Sequence, residues 1–120
     1  MNHISSIYEE NEIIISLSIL CNNFELEEDK IKCVNHFVQE YFDYDSHDEE
    51  RKLFRTPNEI INDGGCCRDW SVFYNSIFSL MDFETEFIYE PKHVYLKICN
   101  ENCYHVDQRD YWVVNDSNIL

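Results

Sequence analysis

With 120 residues, 44% of them hydrophobic and 15% aromatic, the chain carries enough apolar material for one core of ordinary size and does not read as disordered. Its 9 Lys+Arg against 24 Asp+Glu leave a formal net charge of -15. A field of that sign repels phosphate backbones and anionic lipid, so the expected partners include neither nucleic acid nor membrane; it would suit a basic partner, but acidity more often serves solubility alone.

Met1-Asn2-His3 has no basic leader character, and no cleavable signal follows it. The six cysteines are therefore expected to be reduced thiols in a cytoplasmic protein rather than a disulfide framework.

Ile4 to Leu20 supports two readings. Ile13, Ile15, Leu17 and Ile19 alternate as in a strand, whereas Ile7, Ile14, Leu17 and Cys21 fit a helix. Glu9, Glu10 and Glu12 suit early helical turns and favour the helix. The apolar run Ile13 to Leu20, interrupted by Ser16 and Ser18, is too short to span a bilayer. After a break at Asn22-Asn23, Ile31, Val34, Phe37, Val38 and Tyr41 recur at core-facing helical spacing, with Glu27, Glu28 and Asp29 in the first turn.

Residues 43 to 58 read as a polar connection. At its end Thr56-Pro57-Asn58-Glu59 has the pattern of a capped helix start, with proline at the first helical position and glutamate as the capping-box acid. The short helix, Glu59 to Asn62, runs into Gly64-Gly65, where glycines permit a sharp turn. Beyond it, Trp70, Phe73, Tyr74, Ile77 and Met81 share one helical face.

Strand signals follow. Thr85 to Tyr89 is β-branched and aromatic, and Pro91 separates it from His93 to Ile98. In that second run Val94, Leu96 and Ile98 fall on one face, His93, Tyr95 and Lys97 on the other. A turn at 100–102 leads to Cys103 to Asp107, with Tyr104 and Val106 on one side and Cys103, His105 and Asp107 on the other. Closure by a three-residue loop, 99–101, sets His93 opposite Asp107. No repeat or linker interrupts the chain, so residues 1–120 are expected to form one domain. The expected fold is α+β: N-terminal helices, then a central helix beginning at a cysteine and packed on a small antiparallel sheet.

The chemistry expected of this order is nucleophilic. Cys67 stands at or just inside a helix N-terminus, where unpaired N–H groups favour negative charge on sulfur and can receive an oxyanion. His93 then serves as general acid and base and Asp107 orients its ring. Cys66 is the alternative nucleophile if the register is off by one. Asp69 is read as an acid complementing the helix dipole, or as an anchor for the loop or for a substrate amine; Arg68 is read as a solvated neighbour.

Gly65-Cys66-Cys67-Arg68-Asp69-Trp70, His93-Val94-Tyr95-Leu96 and Tyr104-His105-Val106-Asp107 together resemble the transglutaminase-like superfamily of papain-type thiol enzymes. The pattern is Gly-x-Cys-x-Asp at a helix start, a His-aromatic strand, and a strand ending in Asp. Tyr41-Phe42-Asp43-Tyr44 and Arg55 to Ile61 look like that superfamily's approach to the cysteine, so the likeness spans roughly residues 30 to 112. It implies a papain/transglutaminase-like fold and acyl transfer or hydrolysis on a peptide or protein amide: cleavage, deamidation or Gln–Lys crosslinking. It implies a Cys67, His93, Asp107 triad and no cofactor or metal. Tyr95 stands where the superfamily often has Trp. Tyr44 is the one candidate for an oxyanion-hole side chain, with core packing as its other reading.

Two readings compete. The domain is an inactive peptide- or protein-binding module of the same fold, or Cys66, Cys67, Cys99, Cys103, His93 and His105 supply a zinc site. Adjacent cysteines and the absence of a second paired knuckle disfavour zinc.

Overall fold

A computed structural model of the chain describes Tyr8 and residues 10–48, 54–108 and 110–114. Ile4, Ile7 and Glu9 of the expected first helix, and Glu49-Glu50 of the polar connection, lie outside the described residues. The architecture is α+β. Helices α1 (Glu12–Asn22), α2 (Glu27–Tyr41), α3 (Pro57–Asp63) and α4 (Cys67–Leu80) precede strands β1 (Glu84–Glu90), β2 (His93–Cys99), β3 (Cys103–Asp107) and β4 (Asp110–Val113). The strands form one antiparallel sheet in the order β1-β2-β3-β4.

Burial settles the ambiguous first segment. Ile14, Leu17, Ser18 and Cys21 are buried at helical spacing, while Ile15 and Ile19 stay exposed. Asn11 caps α1 by accepting the Ile13 N–H at 2.9 Å. The second stripe also faces inward through Ile31, Val34 and Val38, but Tyr41 at its end is exposed. Helix α3 starts as expected: Thr56 accepts from the Glu59 N–H, and Glu59 accepts from the Thr56 N–H at 2.9 Å. It extends beyond the expected Glu59–Asn62 by including Pro57, Asn58 and Asp63.

Helix α4 is the centre of the core. Trp70, Phe73, Tyr74, Ile77 and Phe78 are buried to 1% exposure or less, between α1 and the inner sheet face of Leu96, Ile98, Tyr104 and Val106. At roughly 25 cal/mol per Å2 of apolar surface, side chains of this size are the main stabilising contribution of the domain.

Strands β1 and β2 join through Pro91-Lys92, with Lys92 at φ 62, a two-residue turn that keeps Glu90 opposite His93. Strand β1 is an edge strand on which Glu84, Glu86 and Glu90 are exposed. Strand β4 extends the sheet beyond the expected three strands. Its four residues, between the turn after Asp107 and the chain's polar end, are too few to show an alternation.

The β2–β3 hairpin corrects the expected register. Cys99 pairs with Cys103 and Leu96 with Val106, so the loop is 100–102 rather than 99–101. Continuing that register puts Tyr95, not His93, opposite Asp107. A shift of two residues keeps every side chain on its face, so His93 and Asp107 become diagonal neighbours on the same side of the sheet.

Glu27 has a larger role than a first-turn acid. Its carboxylate accepts the Glu101 N–H at 2.7 Å, the Asn102 N–H at 3.1 Å and the Tyr104 hydroxyl at 3.0 Å, clamping the hairpin turn to α2. The carboxylate and burial together push the Tyr104 hydroxyl up to about 12, burial being the larger cause. Glu27→Ala is expected to destabilise the protein by about 1–2 kcal/mol in urea unfolding, and Glu27→Gln by less because one acceptor oxygen remains. Equal losses for the two variants would show that charge, not hydrogen bonding, holds the turn.

Four of the six cysteines are not thiols, contrary to expectation. Cys21 and Cys33 join α1 to α2 with Cα atoms 5.4 Å apart, and Cys99 and Cys103 bridge the hairpin pair at 4.1 Å. Each pair sits where tertiary structure makes the two residues neighbours, Cys21 on the inward side of α1 and Cys99 directly across from Cys103. Cys66 and Cys67 are the free cysteines. None of the described helices is long and apolar enough to cross a membrane.

Candidate active site

The chain enters the site along residues 42–48, which dock on the start of α4. Phe42 packs on Trp70 with ring centroids 5.1 Å apart, and Trp70 Nε1 donates to the Asp43 carbonyl at 3.3 Å. Tyr44 and Gly65 form an isolated parallel bridge: Gly65 N–H donates to Asp43 O at 2.9 Å and Asp45 N–H to Gly65 O at 3.0 Å. Gly64 makes this approach possible. Its φ is +85, and a Cβ there would lie 2.8 Å from the Asp43 carbonyl oxygen. Gly64→Ala is therefore expected to cost at least about 2 kcal/mol in chemical denaturation, from left-handed strain and the backbone clash together. A cost below half of that would mean that the 42–48 segment readily leaves its seat.

Helix α4 begins with Cys66 as its N-cap and Cys67 as its first helical residue. The two sulfurs occupy different surroundings. Cys66 is buried at 2% exposure, and burial pushes its thiol up from the ordinary range. Cys67 is half-buried. On the same helix side, one turn after Cys67, Ser71 donates its hydroxyl to the Val94 carbonyl at 3.0 Å. This bond ties the first turns of α4 to the end of β2 where His93 stands.

His93 Nε2 lies 2.7 Å from Asp107 Oδ2, with both side chains about three-quarters buried at 27% and 23% exposure. Because the carboxylate engages Nε2, the ring's Nδ1 is the nitrogen left for proton exchange with another group. Of the three residues expected to act together, the structure thus brings His93 and Asp107 into contact. Among the described residues, Cys67 Sγ makes no hydrogen bond with the His93 ring.

A cysteine, a histidine and an aspartate do meet at the start of α4, but they are Cys66, His47 and Asp69, a grouping that was not anticipated. Asp69, fully buried, accepts the Arg55 N–H through Oδ1 at 2.9 Å; its Oδ2 meets the Cys66 N–H at 3.0 Å, Cys66 Sγ at 3.4 Å and His47 Nε2 at 2.6 Å. Cys66 Sγ is also 3.7 Å from His47 Nε2. A relay needs sulfur and carboxylate on opposite ring nitrogens, whereas here both address Nε2. With its thiol pushed up and its surroundings closed, Cys66 is a poor nucleophile.

His47, Cys66 and Asp69 also offer ligand-type atoms within 4.8 Å of one another. The carboxylate is already committed to two backbone N–H groups as well as to these side chains, which gives the group a structural explanation. The alternative zinc set loses Cys99 and Cys103 to their disulfide.

Asp69 is therefore the loop anchor that was one of its readings. Arg55 completes the anchorage: its guanidinium donates to the Asp63 and Gly64 carbonyls at 3.1 and 2.7 Å and to Asp45 Oδ2 at 2.8 Å. It satisfies carbonyls at the end of α3 and fastens the 43–48 segment. Tyr44, one of whose readings was core packing, is instead 51% exposed. Partial burial, and next the half-buried sulfur of Cys67, push its hydroxyl up.

Comparison with protein families, curated proteins and solved structures gives no match for this chain.

Proposed function

We propose that the protein is a minimal papain/transglutaminase-like thiol enzyme acting on a peptide or protein amide. Cys67 is its nucleophile, His93 its general acid and base, and Asp107 the residue orienting the ring. The observation that carries this reading is the His93–Asp107 hydrogen bond at the end of β2 to which Ser71 ties α4. A carboxylate on Nε2 fixes the ring so that Nδ1 can exchange a proton with a thiol.

In this reading the Cys67 sulfur attacks the amide carbon, and the backbone N–H groups at the start of α4 receive the charge on oxygen. Collapse of that intermediate breaks the carbon–nitrogen bond, and His93 gives its proton to the departing amine. Water or a primary amine then attacks the thioester, releasing an acid or a new amide and restoring the thiol. Tyr44 is proposed to stand beside the developing oxyanion.

The two disulfides weigh against the cytoplasmic part of the original expectation, because such bonds persist mainly in oxidising compartments. We place the protein's working environment there, with Cys66 and Cys67 remaining as thiols.

The test is turnover of a panel of glutamine and peptide amides, with and without an added primary amine. Release of acid or ammonia alone identifies a hydrolase, and incorporation of the amine identifies a transferase. No turnover with any amide, together with specific peptide binding, would replace the enzyme by the binding-module alternative.

A further inference from the structure

The sheet face that bears His93 also carries a connected group of rings that the proposed chemistry leaves unused. Tyr95 lies with its ring centroid 5.8 Å from His93, 5.2 Å from His105 and 6.2 Å from Trp112; His105 and Trp112 are 5.7 Å apart and nearly perpendicular. Trp112 is 45% exposed on the edge strand β4. The alternation of β2, β3 and β4 puts these rings on the side opposite the core.

The charges around the rings are unevenly distributed. Toward the His93 end stand Glu90, paired across from His93 and 3.5 Å from the Tyr95 hydroxyl, then Asp107 and its partner Asp110. Among the described residues the lysine of this face, Lys97, lies at the other end, opposite Glu86 on one side and His105 on the other, while His93 is held by Asp107. Burial and Lys97 lower the pKa of His105, which favours the uncharged ring and lessens its repulsion toward a cation. An exposed Trp112 and a partly exposed Tyr95 bordered by carboxylates form an environment that attracts a delocalised cation and gives a neutral side chain much less.

We infer that the Tyr95–Trp112 face is a binding subsite for a cationic side chain, arginine above all, of the peptide presented to Cys67. The guanidinium stacks on the Tyr95 and Trp112 rings, with Glu90 at the Tyr95 hydroxyl and Asp110 on the strand of Trp112 supplying negative field from the two edges of the sheet. This deepens the proposed function and rests on it for what happens to the bound peptide, since binding itself needs no reactive thiol.

The subsite is tested by calorimetric titration of the full chain carrying Cys67→Ala with two peptides. One is N-acetyl-Gly-Arg-Gly-amide; the other has citrulline, which is nearly isosteric with arginine but uncharged, in its place. The arginine peptide is expected to bind about tenfold more tightly. Trp112→Leu and Glu90→Gln are each expected to weaken it about threefold or more and to leave citrulline binding unchanged. Glu25→Gln, in the α1–α2 connection, is the control for the bulk negative field.

Equal affinity for the two peptides, or an arginine preference surviving both variants, overturns the proposal. So does a loss at Glu90→Gln no greater than at Glu25→Gln. Retained folding of each variant is read from its far-UV circular dichroism, and Glu90→Gln, a surface change, keeps the test decisive if Trp112→Leu unfolds. An arginine preference in a protein whose Cys67 proves inert would refute the thiol chemistry and leave the subsite standing; the converse would refute the subsite alone.

Discussion

Iodoacetamide at pH 6 is expected to label Cys67 about a hundredfold faster than an ordinary surface thiol, and His93→Ala is expected to remove most of that advantage. At this pH a thiol of pKa about 8.5 is ionised in only about one molecule in 300, so fast labelling requires a partner that takes the proton. In amide turnover the same substitution is expected to lower kcat/KM by about 10²–10⁴-fold, the usual range for loss of a general acid–base. Cys66, the adjacent residue, provides an internal control. Its thiol is pushed up by burial, so it remains protonated through neutral pH, and its labelling should emerge only in alkali or after unfolding. Peptide mapping decides the assignment: predominant label on Cys66, or a Cys67 rate indifferent to His93, would sink it.

The second large effect is on stability. Asp69→Ala is expected to destabilise the domain by about 3–5 kcal/mol, because it strips the buried Arg55 and Cys66 N–H groups and His47 of a shared acceptor. Against a total stability of about 5–15 kcal/mol for a small domain, that is enough to leave a substantial unfolded population near body temperature. Urea unfolding measures the loss, and amide exchange locates it. Protection at Gly65 and Asp45, whose N–H groups make the bridge to residues 43 and 65, should fall first. A loss under about 1 kcal/mol would mean that water replaces the carboxylate and that the site interior is open.

How far the site was readable before folding depended on whether the signals were local. The capped start at Thr56 and Glu59, the core face from Trp70 to Met81, and the same-face placement of His93 and Asp107 follow from periods of 3.6 and 2. These survive an error in loop position, because displacing the hairpin register by two residues leaves the faces unchanged. The buried polar residues did not announce themselves. His47 and Arg55 lie in a run dense with charge, which reads as solvated until α4 supplies Asp69 and α3 supplies carbonyls. Cysteine pairing was equally hidden. Cys99 and Cys103 become partners only once the turn is known to occupy 100–102, and Cys21 meets Cys33 only through the packing of two helices.

Tyr44 shows the other kind of difficulty. An aromatic residue in a sequence is most economically read as core, yet the bridge to Gly65 holds its backbone while its side chain remains outside. That such a ring stays outside shows only after the backbone that positions it has been seen.

The row of glutamates on β1 has a consequence for the protein in bulk. An unpaired strand margin invites like molecules to join it hydrogen bond by hydrogen bond, and polymerisation begins that way. Glu84, Glu86 and Glu90 make each approaching copy meet its own charge, so the margin discourages self-templating while remaining open to a strand of opposite sign. Near the isoelectric point of about 4.4 that protection fades, and acidified solutions are where fibrous assembly should start.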